Sequence, residues 1–77
     1  MNWMQRKEYQ RRATVRRGKL IDMLCDSKGL TQTQKDIITL EIMELDIQPD
    51  SRAWRWGYKG TLKRARLALE EKMKREA

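Results

Sequence analysis

The 77-residue chain contains no histidine and a single cysteine. Histidine is the most common general base in enzymes and the most common nitrogen ligand of protein-bound metals, so its absence argues against catalysis and against a zinc or copper site. One thiol can form neither an intramolecular disulfide nor a four-thiolate metal site, which suits a reducing compartment. We therefore expect a protein that is not an enzyme and that holds no cofactor and no metal.

Phenylalanine is also missing, and the aromatic residues are three tryptophans and two tyrosines. These large side chains must therefore provide much of the volume of any hydrophobic core. We expect Trp54 and Tyr58 to lie in the core. Cys25 follows Leu24 in an apolar stretch, where a free cysteine usually packs as a small hydrophobe, so we expect it to be buried too.

Long hydrophobic runs are absent from the sequence. No uninterrupted apolar run exceeds three residues, whereas a membrane-spanning helix needs about 20. Arg6 and Lys7 come before any apolar stretch, so the start of the chain does not read as a secretory signal peptide. We expect a cytoplasmic or otherwise intracellular protein with no membrane partner.

Positive charge exceeds negative charge, and the two are segregated along the chain. There are 18 Lys and Arg residues against 11 Asp and Glu residues, a net charge of +7. Residues 1–19 carry seven basic groups and one acid, residues 20–50 carry two basic and seven acidic groups, and residues 51–77 carry nine basic and three acidic groups. Because aromatic and aliphatic residues are interleaved with these charges, the pattern indicates folded basic faces and not a disordered cationic tail.

The length and composition indicate one small domain spanning residues 1–77. Hydrophobic residues make up 39% of the chain and charged residues 38%, and a chain this short buries only about 60% of its unfolded surface. The sequence contains no internal repeat, no low-complexity tract and no Ser/Gly/Pro linker. The core is therefore expected to be small.

Helical signals divide the chain into three segments, predicted at about 3–27, 32–47 and 51–75. Asn2 precedes Gln5, and Thr31 precedes Gln34, at the spacing of a capping box, while Pro49 ends the second segment. The second segment is apolar on two sides, which predicts that it lies between the other two helices. The fold is predicted to be all-α, a compact three-helix domain.

In the third segment, apolar residues recur every three or four positions and predict one helical stripe. The stripe comprises Trp54, Tyr58, Leu62, Ala65, Leu69 and Met73. Gly57 and Gly60 interrupt this segment. We predict a continuous helix, and the alternative is a break near Gly57–Gly60 with a restart at Thr61.

A series of cations runs beside this stripe at helical spacing and is the main functional signal. Like charges collected on one ridge repel one another unless solvent or an anion lies alongside. The ridge comprises Arg52, Arg55, Lys59, Lys63 and Arg66, and the first helix supplies a second set, Arg12, Arg16 and Lys19. We expect these residues to bind the phosphates of DNA or RNA, chiefly through the backbone and with little sequence preference.

Trp56 lies on a different helical side from Trp54 and Tyr58. If it is buried against the first helix it belongs to the core, which is the reading we favour. If it is exposed, it could stack on an unpaired base or anchor a protein partner.

Two alternatives to nucleic-acid binding remain open. In the first, the chain is a small regulator or inhibitor whose cations dock on an acidic surface of a nucleic-acid-processing enzyme or another protein, with Trp56 as anchor. In the second, the chain forms a homodimer, because the second helix has more apolar surface than a three-helix packing would cover. The sequence does not distinguish DNA from RNA.

Overall fold

The structure is a computed structural model that describes residues 2–26 and 28–76. This part of the chain is all-helical, as predicted, and its helices pack against one another. The helices are α1 (Trp3–Cys25), α2 (Gln32–Asp46), α3 (Arg52–Arg55) and α4 (Tyr58–Glu76). The last residue of the predicted first helix, Ser27, lies outside the described residues.

Both predicted capping boxes are present and set the starts of α1 and α2. The Asn2 side chain accepts a hydrogen bond from the Gln5 amide at 2.9 Å, and the Gln5 side chain accepts one from the Asn2 amide at 3.1 Å. Thr31 and Gln34 make the same reciprocal pair at 3.2 and 2.8 Å. Each box satisfies amides that a helix start would otherwise leave without partners.

The prediction of one continuous third helix is wrong. The chain leaves helical geometry at Trp56 and Gly57, so the segment forms the single turn α3 followed by α4. Gly57 adopts φ = +73°, a left-handed conformation that a residue without Cβ enters readily. The helix restarts at Tyr58, three residues earlier than the predicted alternative at Thr61.

The second helix lies between the other two long helices, as predicted, and runs antiparallel to both. It packs against α1 and α4, while the described parts of α1 and α4 make no backbone-level contact with each other. Gln10 near the start of α1 bonds Gln48 just after α2 at 2.9 Å. Thr33 at the start of α2 faces Glu76 at the end of α4 at 3.5 Å. The start of α1, the end of α2, α3 and the start of α4 therefore share one end of the molecule.

The hydrophobic core is small and lies along α2. Its buried apolar residues among those described are Ala13, Leu20, Ile38, Ile47 and Leu62. Trp54 is half-buried. Tyr58, however, is 47% exposed, so its predicted core position is wrong. The break at Gly57 places Tyr58 at the start of a new helix, out of phase with Trp54.

Cys25 is exposed, which contradicts its predicted burial. It is the last residue of α1 and lies to one side of the stripe formed by Ala13, Leu20 and Leu24. That stripe is the one that faces α2, and Cys25 falls outside it.

Candidate nucleic-acid interface

Arg66, predicted as a phosphate contact, is directed into the α2–α4 interface. Its Nε donates to Glu44 Oε2 at 2.7 Å and its Nη1 donates to Glu70 Oε1 at 2.9 Å. The Arg66 side chain is 20% exposed and that of Glu44 is 7% exposed. The hydrogen bond to Glu44 raises the pKa of Arg66 above its ordinary value. Because both of its carboxylate partners are intramolecular, Arg66 does not belong to the candidate interface.

Two arginines of α1 are likewise paired with carboxylates of α2, although about half of each arginine side chain is exposed. Arg16 Nε donates to Glu41 Oε1 at 3.0 Å, and Arg17 Nε donates to Asp46 Oδ1 at 2.6 Å. The acidic middle of the sequence thus neutralises the basic residues that face it. Arg16, predicted in the second phosphate-binding set, is engaged in this way.

Arg12, also in the second set, pairs within its own helix. Its Nε donates to Glu8 Oε1 at 3.0 Å, and Arg11 approaches the same oxygen at 3.2 Å. The charge of Arg11, together with hydrogen bonds from both arginines, lowers the pKa of Glu8 below its ordinary value. Both side chains are exposed, and exposed pairs of this kind contribute little to stability, so an external anion could still compete for Arg12.

Lys59, from the predicted ridge, is placed between aromatic rings. Its Nζ lies 4.4 Å from the ring centroid of Tyr9 and 5.0 Å from that of Trp54, and it donates to the Tyr9 hydroxyl. The two rings meet edge to face with centroids 5.5 Å apart. An ammonium over aromatic faces is a stabilising arrangement. Lys59 therefore joins α1, α3 and α4 and is half-buried.

The remaining predicted cations are exposed and free of acid partners. No carboxylate within residues 2–26 and 28–76 lies within 4.0 Å of them. They are Arg52, Arg55, Lys63 and Lys19, which we call the outward cations. Arg64 on α4 is a further exposed cation of this kind that sequence reasoning did not single out. Its position two residues after the buried Leu62 was the available signal, because two residues along a helix turn the side chain to the opposite side.

Trp56 is 77% exposed, so the favoured prediction of burial is wrong. It follows the last residue of α3, and its amide donates to the Arg52 carbonyl at 3.0 Å. The Arg52 guanidinium carbon lies 5.4 Å from the Trp56 ring centroid. The indole is therefore presented to solvent beside one outward cation and directly after another, Arg55.

The fold collects all the aromatic residues at one end of the molecule, which we call the aromatic end. The chain's tryptophans and tyrosines occur only at positions 3–9 and 54–58. Antiparallel packing brings these two segments together, as the contact of Tyr9 with Trp54 and the ion pair of Arg6 with Asp50 demonstrate. The hydrogen bond from Arg6 lowers the pKa of Asp50 below its ordinary value.

Other kinds of site find no support in the described residues. Within 2–26 and 28–76, no group of three or more Cys, Asp or Glu side chains is arranged to hold a metal ion. No helix in that part of the chain combines the length and apolar character needed to cross a bilayer.

Comparison with protein-family models, with curated proteins and with solved structures finds no significant match to this chain.

Proposed function

We propose that the protein binds nucleic acid without catalysing a reaction, mainly through backbone phosphates. The observation that carries the proposal is the exposure of Arg52, Arg55 and Lys63 without acid partners at the α3–α4 segment. Lys19 on the outer side of α1 provides a further contact. Lysine and arginine side chains held in solvent are the groups that displace counterions from phosphates.

The ion pairs between helices support this proposal because they separate two kinds of cation, those paired with a carboxylate of α2 and those that are not. Arg16, Arg17 and Arg66 face α2 and are neutralised by its carboxylates. The outward cations form no such ion pairs among the described residues, so their positive charge is directed to solvent. A surface of this kind attracts polyanions and speeds their association.

The proposed interface therefore contains fewer residues than the sequence predicted. Arg66 and Lys59 are not among the proposed phosphate contacts. Arg66 is in a buried ion pair, and Lys59 is held between aromatic rings. The proposed phosphate contacts are thus centred on α3 and the first half of α4, next to Trp56.

The test is charge reversal at two of these positions, Arg55→Glu with Lys63→Glu. We expect weaker binding to both duplex and single-stranded oligonucleotides, and a log–log salt slope shallower by about 1.5, since each phosphate contact contributes about 0.7 to 0.9. Binding is measured by fluorescence anisotropy at several salt concentrations, and circular dichroism checks that helicity is retained.

A matched control reverses two cations at the opposite end of the molecule, Lys28→Glu with Lys74→Glu. Lys28 precedes α2, and Lys74 lies in the last turn of α4, which is beside the start of α2. The control changes net charge by the same amount. Equal losses in the two variants would show that net charge alone drives binding and would contradict the proposed interface.

Docking on an acidic protein surface is the second candidate, and the exposed Trp56 beside arginines favours it. Tryptophan and arginine are the residue types most enriched at binding hot spots between proteins. A poly-glutamate chain of the same charge as the oligonucleotide separates the two functions. Tighter binding to poly-glutamate than to nucleic acid would favour the protein partner.

A further inference from the structure

We propose that Trp56 is a stacking platform for an unpaired base, so that the ligand of the α3–α4 surface is single-stranded nucleic acid. This inference rests on the proposed function and names its substrate class. A single exposed apolar side chain is ordinary on a protein surface, so the inference depends on the exposed Trp56 ring lying beside the outward cations Arg52 and Arg55. Every nucleobase has a π-face that such a ring can cover.

The backbone around Trp56 holds the ring outward. Ser51 caps α3 by accepting from the Trp54 amide at 3.2 Å, and the Gly57 amide donates to the Trp54 carbonyl at 3.1 Å. The left-handed Gly57 then turns the chain into α4. Trp56 thus occupies a short, hydrogen-bonded corner, which limits the conformational freedom lost when a base stacks on it.

Arg52 places a positive charge beside the Trp56 ring, where it attracts an anionic ligand. Its guanidinium lies over the indole at 5.4 Å and is exposed, so a strand whose base covers Trp56 can place a phosphate beside Arg52 or Arg55. Residues 51–61 contain no acidic residue. A phosphate approaching Trp56 therefore meets no carboxylate within residues 51–61, and the adjacent carboxylate of Asp50 is paired with Arg6.

Trp3 is also an exposed indole beside a cation, but an acidic residue lies in its own segment. It is 69% exposed, and the Lys7 ammonium lies 4.8 Å from its ring centroid. However, Trp3 and Lys7 line a shallow surface depression together with the Glu8 carboxylate. Trp3 therefore serves as the matched control for removal of an exposed indole beside a cation.

A duplex does not fit this site as well as an unpaired strand. Bases in a duplex are stacked on one another, and covering Trp56 would require one of them to be flipped out at a cost of a few kcal/mol. A single strand offers its bases directly, and alanine replacement of a stacking aromatic typically weakens such binding about tenfold or more.

The experiment measures anisotropy with three probes of equal length: oligo-dT, oligo-rU and an oligonucleotide in which all but the labelled end is abasic. Wild-type protein is expected to bind both base-bearing strands at least about fivefold more tightly than the abasic strand. Trp56→Ala should lose about tenfold on the base-bearing strands and change abasic binding less than twofold. Trp3→Ala should stay within twofold on all three probes.

The outcomes separate this inference from the proposed function. If wild-type protein binds the abasic strand as tightly as oligo-dT, or if Trp3→Ala weakens binding as much as Trp56→Ala, stacking at Trp56 is refuted while phosphate binding stands. If none of these strands binds at low salt but a duplex of the same length does, the single-strand inference is refuted while phosphate binding stands; if the duplex does not bind either, both are refuted. Because Trp56 is exposed, Trp56→Ala is expected to keep the helical circular dichroism of the wild type; Trp56→Phe, which retains a ring, should recover part of the lost affinity.

Discussion

Arg66 of α4 donates a 2.7 Å hydrogen bond to Glu44 of α2 across an interface where the Glu44 side chain is only 7% exposed. Glu70, one turn along α4, accepts a second bond from the same guanidinium. This arrangement removes Arg66 from the surface and makes it a tether between two helices. It also leaves Glu44 dependent on Arg66 for its charge compensation.

Replacing Arg66 should therefore affect stability more than binding. Arg66→Ala leaves a buried carboxylate without its cation, which typically costs about 3 kcal/mol or more, and for a domain of this size we expect Tm to fall by more than about 10 °C. The measurement is thermal unfolding followed by circular dichroism. Arg64→Ala, two residues away and exposed, is the control and should change Tm by only about 2 °C or less.

The double variant Glu44→Met with Arg66→Met tests whether the unpaired Glu44 carboxylate causes the loss of stability. Removing both charges together avoids the unpaired carboxylate, so this variant should be considerably more stable than Arg66→Ala. Equal destabilisation of the double variant and Arg66→Ala would contradict an ion pair as the cause.

Replacement of Gly57 and of Gly18 by alanine should change the free energy of unfolding in opposite directions. A Cβ at either position would meet no atom within 4 Å, so space does not decide the outcome. Gly57 has φ = +73°, where alanine is strained by about 1 kcal/mol, whereas Gly18 lies inside α1, where alanine is favoured by about 1 kcal/mol. Urea unfolding should give a lower free energy of unfolding for Gly57→Ala and a higher one for Gly18→Ala. A stabilising Gly57→Ala would argue against the break between α3 and α4.

The contact between Arg6 and Asp50 should make stability depend on acid pH. The hydrogen bond from Arg6 lowers the pKa of Asp50 in the folded state below its ordinary value of 3.8. A carboxyl with a lowered folded pKa contributes stability that is present above its ordinary pKa and is lost as pH falls through the lowered value. Tm measured from neutral to strongly acidic pH should therefore fall in that acid range.

Asp50→Asn is the suitable comparison for this titration. Asp50 has φ = 62°, and asparagine tolerates the left-handed conformation, so the backbone is preserved. Wild type should be more stable than Asp50→Asn at neutral pH, and the difference should disappear once the Asp50 carboxyl is protonated. A difference that is the same at every pH would exclude the ion pair as its source.

Lys59 and Lys63 are one helical turn apart on α4 and should have separate roles. Lys59 lies between the rings of Tyr9 and Trp54, so Lys59→Ala should lower the free energy of unfolding by about 1 kcal/mol. Lys63→Ala should leave stability nearly unchanged and weaken binding to oligonucleotides. Chemical denaturation and anisotropy on the two variants provide the check, and a reversal of the two effects would contradict the assignment.

The local structure was predictable because it depends on neighbouring residues. The caps at Asn2 and Thr31 need only a partner three residues later, and Pro49 ends a helix through its own ring. The central position of α2 followed from its two apolar sides. The break at Gly57 was named as an alternative but not favoured, because a glycine within a helical pattern has the same local signature whether the helix continues or stops.

The roles of individual cations were not predictable in this way. Helical periodicity grouped Arg66 with Lys63, yet their environments differ because Glu44 is brought to Arg66 only when α2 packs on α4. The exposure of Trp56 was not predictable either, because the turn at Gly57 decides which side of the chain the indole occupies.

By itself the sequence determined that the chain is helical, where its first two helices begin, and that its positive charge lies at the two ends of the chain around an acidic middle. These properties follow from short-range hydrogen bonding, side-chain periodicity and composition. Only the tertiary structure decided which cations are neutralised and that the aromatic residues meet at one end. The physical reason is that the ion pairs between helices and the meeting of the aromatic residues require side chains more than 20 positions apart to come within contact distance, which the antiparallel packing of α2 against α1 and α4 achieves.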